Sequence, residues 1–175
     1  MSGPVAAGVA ADAVISPCGR YRYLLSRSWA PSRGSVGFVM CNPSTADAHR
    51  DDPTVRRCIG FARGWGFGAL RIANAFALRT ADPTVLLDVV AVGGDPVGPD
   101  NPRHLRGLGE EHTVVLAWGT NAAAVLGAGY LDEVLGELTV VGAQLVCLAV
   151  NQDGSPRHPL YVPEQTRPIP WRTSQ

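Results

Sequence analysis

Val36-Gly37-Phe38-Val39-Met40-Cys41 is a short, unbroken apolar run, closed at once by Asn42-Pro43. A run without polar alternation marks a strand buried on both faces, as in a parallel sheet. A polar loop follows from Asn42 to Asp52. Asp52 is then placed to cap a helix with Pro53 in its first turn. From Thr54 to Trp65, the residues Val55, Cys58, Ile59 and Ala62 recur at helical spacing, and Arg56, Arg57 and Arg63 form the polar remainder. Gly64, Gly66 and Gly68 end that helix. A buried strand, a loop and a helix in this order form the first half of a βα unit.

The same alternation continues downstream. Ala69 to Phe76 reads as a second strand, and Asp82-Pro83 opens a helix through Ala91. Gly93 to Pro102 is a long loop, Arg103 to Glu111 a short helix, and Thr113 to Trp118 a third apolar strand. Two helical segments, Asn121–Leu126 and Tyr130–Leu138, precede a last strand from Gln144 to Val150. Upstream, arginines and aromatics alternate from Arg20 to Trp29, which predicts a half-exposed strand. Ala30 to Gly34 is a turn. These readings predict an α/β fold: three α/β/α layers around a mostly parallel, four-stranded central sheet. The domain is expected over residues 18–175. Residues 1–17, small and without period, are expected to be a flexible N-terminal segment. Asn151 to Gln175, with five prolines, is expected to wrap the body as a loop.

Composition narrows the function classes. The 175 residues carry 15 basic and 15 acidic groups, so no strong overall field steers the chain onto nucleic acid. No apolar run reaches membrane-spanning length, and the first residues lack the basic start of a secretory signal. A cytoplasmic location is expected, with no membrane partner. All basic residues are arginine, so no lysine amine is available for imine chemistry, which would fall to the N-terminal amine. Cys18, Cys41, Cys58 and Cys147 are widely spaced and form no C-x-x-C pair. No metal site and no cofactor is expected.

In a parallel α/β sheet, ligands bind beyond the carboxyl ends of the strands. The residues following each strand are therefore the candidates. The first strand ends in Cys41-Asn42-Pro43-Ser44-Thr45-Ala46-Asp47. The second carries Asn74 near its end, then Arg79-Thr80. The third runs into Trp118-Gly119-Thr120-Asn121. The last is followed by Arg157-His158-Pro159-Leu160-Tyr161. Asn42 before proline also suits a turn. Asn74, inside an apolar strand, is harder to place without a partner for its amide. Asp47, Asp51 and Asp52 are close enough in sequence to hold Mg²⁺, but N-capping by Asp52 and solvated loop charge read better.

Two resemblances rest on these phrases. Asn-Pro-Ser-Thr-Ala-Asp (42–47), Asp-Asp-Pro-Thr-Val-Arg-Arg-Cys (51–58), Ala-Trp-Gly (117–119) and Pro-Arg-His-Pro-Leu-Tyr (156–161) resemble a widespread bacterial domain of unknown function, from about Cys18 to Pro163. Four short motifs, in order, also resemble the uracil-DNA glycosylase superfamily. They are Met40-Cys41-Asn42-Pro43, Asn74 at the end of a strand, Trp118-Gly119 before a helix, and His158-Pro159-Leu160. The chain departs from that pattern at Met40, where a glycine is common, and at Leu160, where a serine is common. Its cysteine spacing does not fit the superfamily's iron–sulfur cluster.

The second resemblance implies a monofunctional DNA glycosylase that cleaves the N-glycosidic bond of uracil or a related damaged base and acts as a monomer on DNA. Asn42 would position the attacking water, and His158 would donate to the departing base. Asp47 is the candidate for a missing carboxylate. Asn74 would read the base edge, with Cys41 beside it and Phe76 or Trp65 stacking on the ring. Leu160 and Tyr161 would wedge into the duplex, while Arg56, Arg57, Arg79 and Arg157 contact phosphates. An N-glycosidase of free nucleosides and a non-catalytic nucleobase or abasic-site binder are the alternatives. A magnesium-dependent phosphotransferase is a more distant one, since no phosphate-cradling G-x-x-x-x-G-K motif is present.

Overall fold

A computed structural model describes residues 2–171; residue 1 and residues 172–175, the end of the expected wrapping loop, lie outside the described residues. The chain runs β1 (Gly3–Pro4), β2 (Ala10–Ile15), β3 (Arg22–Ser28), β4 (Ser35–Met40), β5 (Arg50–Asp51), α1 (Pro53–Gly64), β6 (Ala69–Asn74), α2 (Val85–Ala91), α3 (Asn101–Leu108), β7 (Thr113–Leu116), α4 (Ala122–Thr139), β8 (Gln144–Cys147) and β9 (Ile169–Pro170). Short 3₁₀ turns occupy Pro31–Arg33 and Pro159–Tyr161.

The main sheet has seven strands in the order β2-β3-β6-β4-β7-β8-β9. Its centre, β6-β4-β7-β8, is the parallel four-stranded sheet that the apolar runs predict. Three antiparallel strands widen it. β9 joins β8 at one edge, and β2 and β3 form the other. The expected flexible segment 1–17 therefore contains a sheet strand. Its alternation of small residues with Asp12 and Val14, half-buried against exposed, leaves too weak an apolar signal to read. The β3 segment is also not half-exposed: Arg22, Tyr23, Leu25 and Arg27 are all buried.

α1 packs on one face of the sheet, where Val55, Cys58, Phe61 and Ala62 meet Phe38, Leu70, Ile72 and Val115. α2, α3 and α4 cover the other face through Leu86, Leu105, Leu108, Val125 and Val134. The result is three layers. α4 is broken at Gly127 (φ 80, ψ 173), which accounts for the two helical segments read around that glycine. β4 leads to α1 on one face, whereas its neighbour β7 leads to α4 on the other. Their carboxyl ends therefore diverge, which opens a crevice at a topological switch point.

Candidate functional site

That crevice is a cavity of about 300 Å³ at the carboxyl ends of β4, β6 and β7. Asn42, Asn74 and His158 all line it, together with Cys41, Trp118, Arg22 and Asp52. Each arrives there for a local reason.

Asn42 leaves β4 at the switch point. Its side-chain NH₂ donates to the carbonyl of Thr80 (2.8 Å) and of Pro43 (3.2 Å). Two carbonyl acceptors fix the orientation of the amide and leave Oδ1 as its remaining polar atom. The turn role read for Asn42 and a site role are therefore compatible, because different ends of one amide serve them. Asn74 ends β6 with its side chain only 1% exposed, and neither Oδ1 nor Nδ2 has a partner among the described residues. Its backbone carbonyl and that of Ala75 are held by the Asn101 amide, each at 3.0 Å. A buried amide with donor and acceptor both unmet is costly, and a ligand edge satisfies it.

His158 is brought in by the last loop. Gly119, at φ 76, turns the chain sharply after β7, and its N–H donates to the carbonyl of Pro156 at 2.9 Å. His158 Nδ1 accepts from the Leu160 N–H at 3.4 Å. That bond leaves the proton of the neutral imidazole on Nε2, so Nε2 is a donor. Burial lowers the His158 pKa, and the nearby Asp52 charge opposes the shift. Burial also pushes the Cys41 thiol up to about 12, so Cys41 is a protonated wall residue rather than a nucleophile.

Tyr161, 76% exposed, lines the mouth, and Leu160, 44% exposed, faces a neighbouring groove with Arg56, Arg57 and Glu164. Arg57 donates to the Val162 carbonyl and lies 3.5 Å from Glu164. Arg56 donates to the Asp51 carbonyl at 2.8 Å. On the other side of the mouth, Arg79 lines an open groove that shares Ser44, Thr80 and Ala81 with the cavity. Arg157 donates to Asn151 Oδ1 at 2.9 Å.

Three expected residues are not in the cavity. Phe76 is fully buried on the α4 side, stacked on Tyr130 at 5.2 Å. It follows Asn74 by two residues, but β6 ends at Asn74, so strand alternation no longer puts both side chains on one face. Trp65 stacks on Phe61 and Phe38 under α1 and donates to the Thr166 carbonyl. Asp47 is a turn residue: its Oδ1 accepts from the N–H groups of His49 (2.8 Å) and Arg50 (3.0 Å). The aromatic rings at the cavity are Trp118 and Tyr161. The magnesium alternative loses its ligands similarly. Asp51 pairs with Arg27 at 2.8 Å and Asp52 caps α1 by accepting from the Val55 N–H at 2.8 Å.

Arg22 is the residue that sequence reading missed. In β3 it follows a Tyr-Arg alternation that suggests a solvent-facing side chain. A register shift against Val14/Ile15 re-aims it, and Arg22 turns under the 42–52 loop, its Nη1 donating to the Ala46 carbonyl at 2.7 Å. No sequence signal announces such a bulge.

A family described as "Protein of unknown function (DUF1643)" matches residues 22–160. The chain belongs to this family. No curated protein and no solved structure matches it. In this DUF1643 chain the matched span begins at Arg22 and ends at Leu160, so it takes in every cavity residue named above except Tyr161.

Proposed function

We propose that the protein hydrolyses the N-glycosidic bond of a uracil-like base in DNA, on a fold of the uracil-DNA glycosylase kind, and releases the free base. The observation that carries this reading is the buried Asn74 amide, without a side-chain partner among the described residues, in a base-sized cavity that it shares with Asn42 and His158. One donor and one acceptor on a single amide match the N–H and C=O edge of a pyrimidine such as uracil. Bond cleavage builds negative charge on the departing base, and the Nε2–H of a neutral His158 is suited to donate to it. Asn42 Oδ1, free of the bonds that hold its NH₂, is suited to orient a water against the sugar carbon. Exposed Tyr161 at the mouth, with exposed Leu160 in the groove beside it, is suited to fill the gap left by an extruded nucleotide.

The test is a panel of oligonucleotides, each with one altered base (uracil, hydroxymethyluracil, hypoxanthine, or thymine opposite guanine), scored for abasic sites. The wild type forms abasic sites on at least one. His158→Ala loses about a hundredfold or more in rate, the usual effect of deleting one such donor, and Asn42→Ala and Asn74→Ala also lose rate. A wild type that binds the oligonucleotides without releasing any base sinks the catalytic reading.

A second reading, hydrolysis of free nucleosides, draws on one observation. Arg57 and Arg157, two expected phosphate contacts, already hydrogen-bond to the protein itself. Faster cleavage of deoxyuridine than of a uracil oligonucleotide would select it.

A further inference from the structure

Two arginines of β3 are almost wholly buried, and they differ in one respect. Arg27, 0% exposed, is paired: Nε and Nη2 meet Asp51 Oδ1 at 2.9 and 2.8 Å, and Nη2 also reaches the Asp47 carbonyl. This is how a structural arginine is accommodated in an interior. Arg22, 2% exposed, forms no ion pair and its Nε has no hydrogen-bond partner among the described residues. The one hydrogen bond of its guanidinium among the described residues goes to a neutral carbonyl, that of Ala46. The neighbouring carboxylate, Asp52, favours the guanidinium through its charge but forms no ion pair with it, and its Oδ1 caps α1. Arg79 and Arg27 add positive charge nearby, and Asp47 adds a weaker favourable charge. Burial lowers the Arg22 pKa to about 10, so the guanidinium stays charged at neutral pH.

Arg22 lines the same cavity as Asn74, and β3 runs beside β6, its Arg22 N–H donating to the Ala77 carbonyl at 2.9 Å. Three buried polar atoms without partners, Arg22 Nε and the Asn74 Oδ1 and Nδ2, thus belong to one cavity. A buried guanidinium with no carboxylate in contact is unfavourable unless an anion meets it directly. A guanidinium presents a donor-only fork suited to a planar oxyanion.

We infer that Arg22 is an anion receptor built into the cavity, and that the ligand presents an oxyanion to it: a carboxylate on the ring or a phosphate on the nucleotide. This rests on the pyrimidine reading only for the shape of the rest of the ligand. The substrate class narrows accordingly, from neutral uracil to an acidic pyrimidine or its nucleotide.

The test is titration of the full chain with uracil, uracil-5-carboxylate, deoxyuridine monophosphate and inorganic phosphate, followed by the fluorescence of the cavity's Trp118 and by calorimetry. One of the two anionic pyrimidines binds at least about tenfold tighter than uracil, the scale of one charge-assisted hydrogen bond. Arg22→Gln erases that preference and leaves uracil binding in place. Arg22→Lys, which keeps the charge without the fork, recovers part of it. Should Arg22→Gln not fold, Arg22→Lys carries the comparison by itself: with the charge kept and the fork removed, its preference for the anionic ligands falls below that of the wild type while uracil binding is unchanged.

Which arm carries the preference separates ring carboxylate from phosphate. Uracil binding with no gain from either anionic group overturns the anion receptor and leaves the pyrimidine reading intact. Arg22-dependent binding of phosphate alone, with no pyrimidine bound, supports the receptor and removes the base reading. No binding by any of the four ligands overturns both.

Discussion

His158 sets the pH behaviour of the site. An imidazolium loses more hydration on burial than an imidazole, so the folded state holds the proton less tightly than the unfolded chain. The folded pKa lies below the ordinary value of about 6.5. The stability of the neutral form is therefore fully present above that value and is lost as pH falls toward the folded one. For a reaction that needs neutral His158 as Nε2 donor, the acid limb of kcat/KM lies at lower pH than a free imidazole would place it. Asp52→Asn keeps a capping residue but removes the charge that favours the imidazolium. The limb then moves further toward acid, and a shift toward alkali would contradict this assignment. Asp47 gives the opposite kind of prediction. Its carboxylate is held below the ordinary range by backbone N–H groups of its own turn, and it does not line the cavity. Asp47→Asn retains turnover within about twofold, because an amide oxygen still accepts in such a turn. A collapse of turnover would return Asp47 to the mechanism.

At the scale of elements, the cavity depends on how β6 is held. The first residue of α3, Asn101, is completely buried and donates both amide hydrogens to the carbonyls of Asn74 and Ala75. The Tyr130 hydroxyl, from α4, donates to the Ala75 carbonyl as well. Two helices on the far face of the sheet therefore fix the strand end whose side chain enters the cavity on the near face. Asn101→Ala removes two donors and costs about 1–3 kcal/mol in chemical denaturation. Asn101→Asp costs more, because carboxylate oxygens would face two carbonyls. If Asp proved milder than Ala, the amide would not be acting as a donor. The junction of α1 and β6 is tighter still. A Cβ on Gly68 would lie 1.6 Å from the Ala30 carbonyl oxygen, so Gly68→Ala forces backbone apart and lowers the melting temperature sharply.

The legibility of these elements follows from where their information lies. The four parallel strands are readable because burial on both faces demands unbroken apolar runs. α1 is readable from its period and the Asp52-Pro53 start. β2 is not, since a half-exposed edge of alanines resembles a linker. Asn42, Asn74 and His158 are findable because each follows or ends an apolar strand. Arg22 is hidden because its burial depends on a bulge and on the Ala46 carbonyl twenty-four residues away in sequence.

For the molecule as a whole, charge and composition bear on how a strand would be handled. Fifteen basic and fifteen acidic groups leave no net attraction for a polyanion, and several surface arginines are occupied by carbonyls or carboxylates. Counterion release by few free cations gives a shallow dependence of DNA affinity on salt. The absence of lysine has a chemical consequence as well. Glycosylases that also nick the strand usually attack the sugar carbon with an amine, forming an imine that reducing agents trap. The 175 residues offer no lysine amine, and the His158, Asn42 and Arg22 groups at the cavity do not form imines. If the protein releases a base as proposed, and the N-terminal amine stays away from the sugar, the product is an intact abasic site. On a labelled uracil oligonucleotide, strand breaks appear only after added alkali or heat, and borohydride traps no protein–DNA adduct. A break without alkali, or a trapped adduct, would show that another nucleophile reaches the sugar and that water held at Asn42 is not the attacking group.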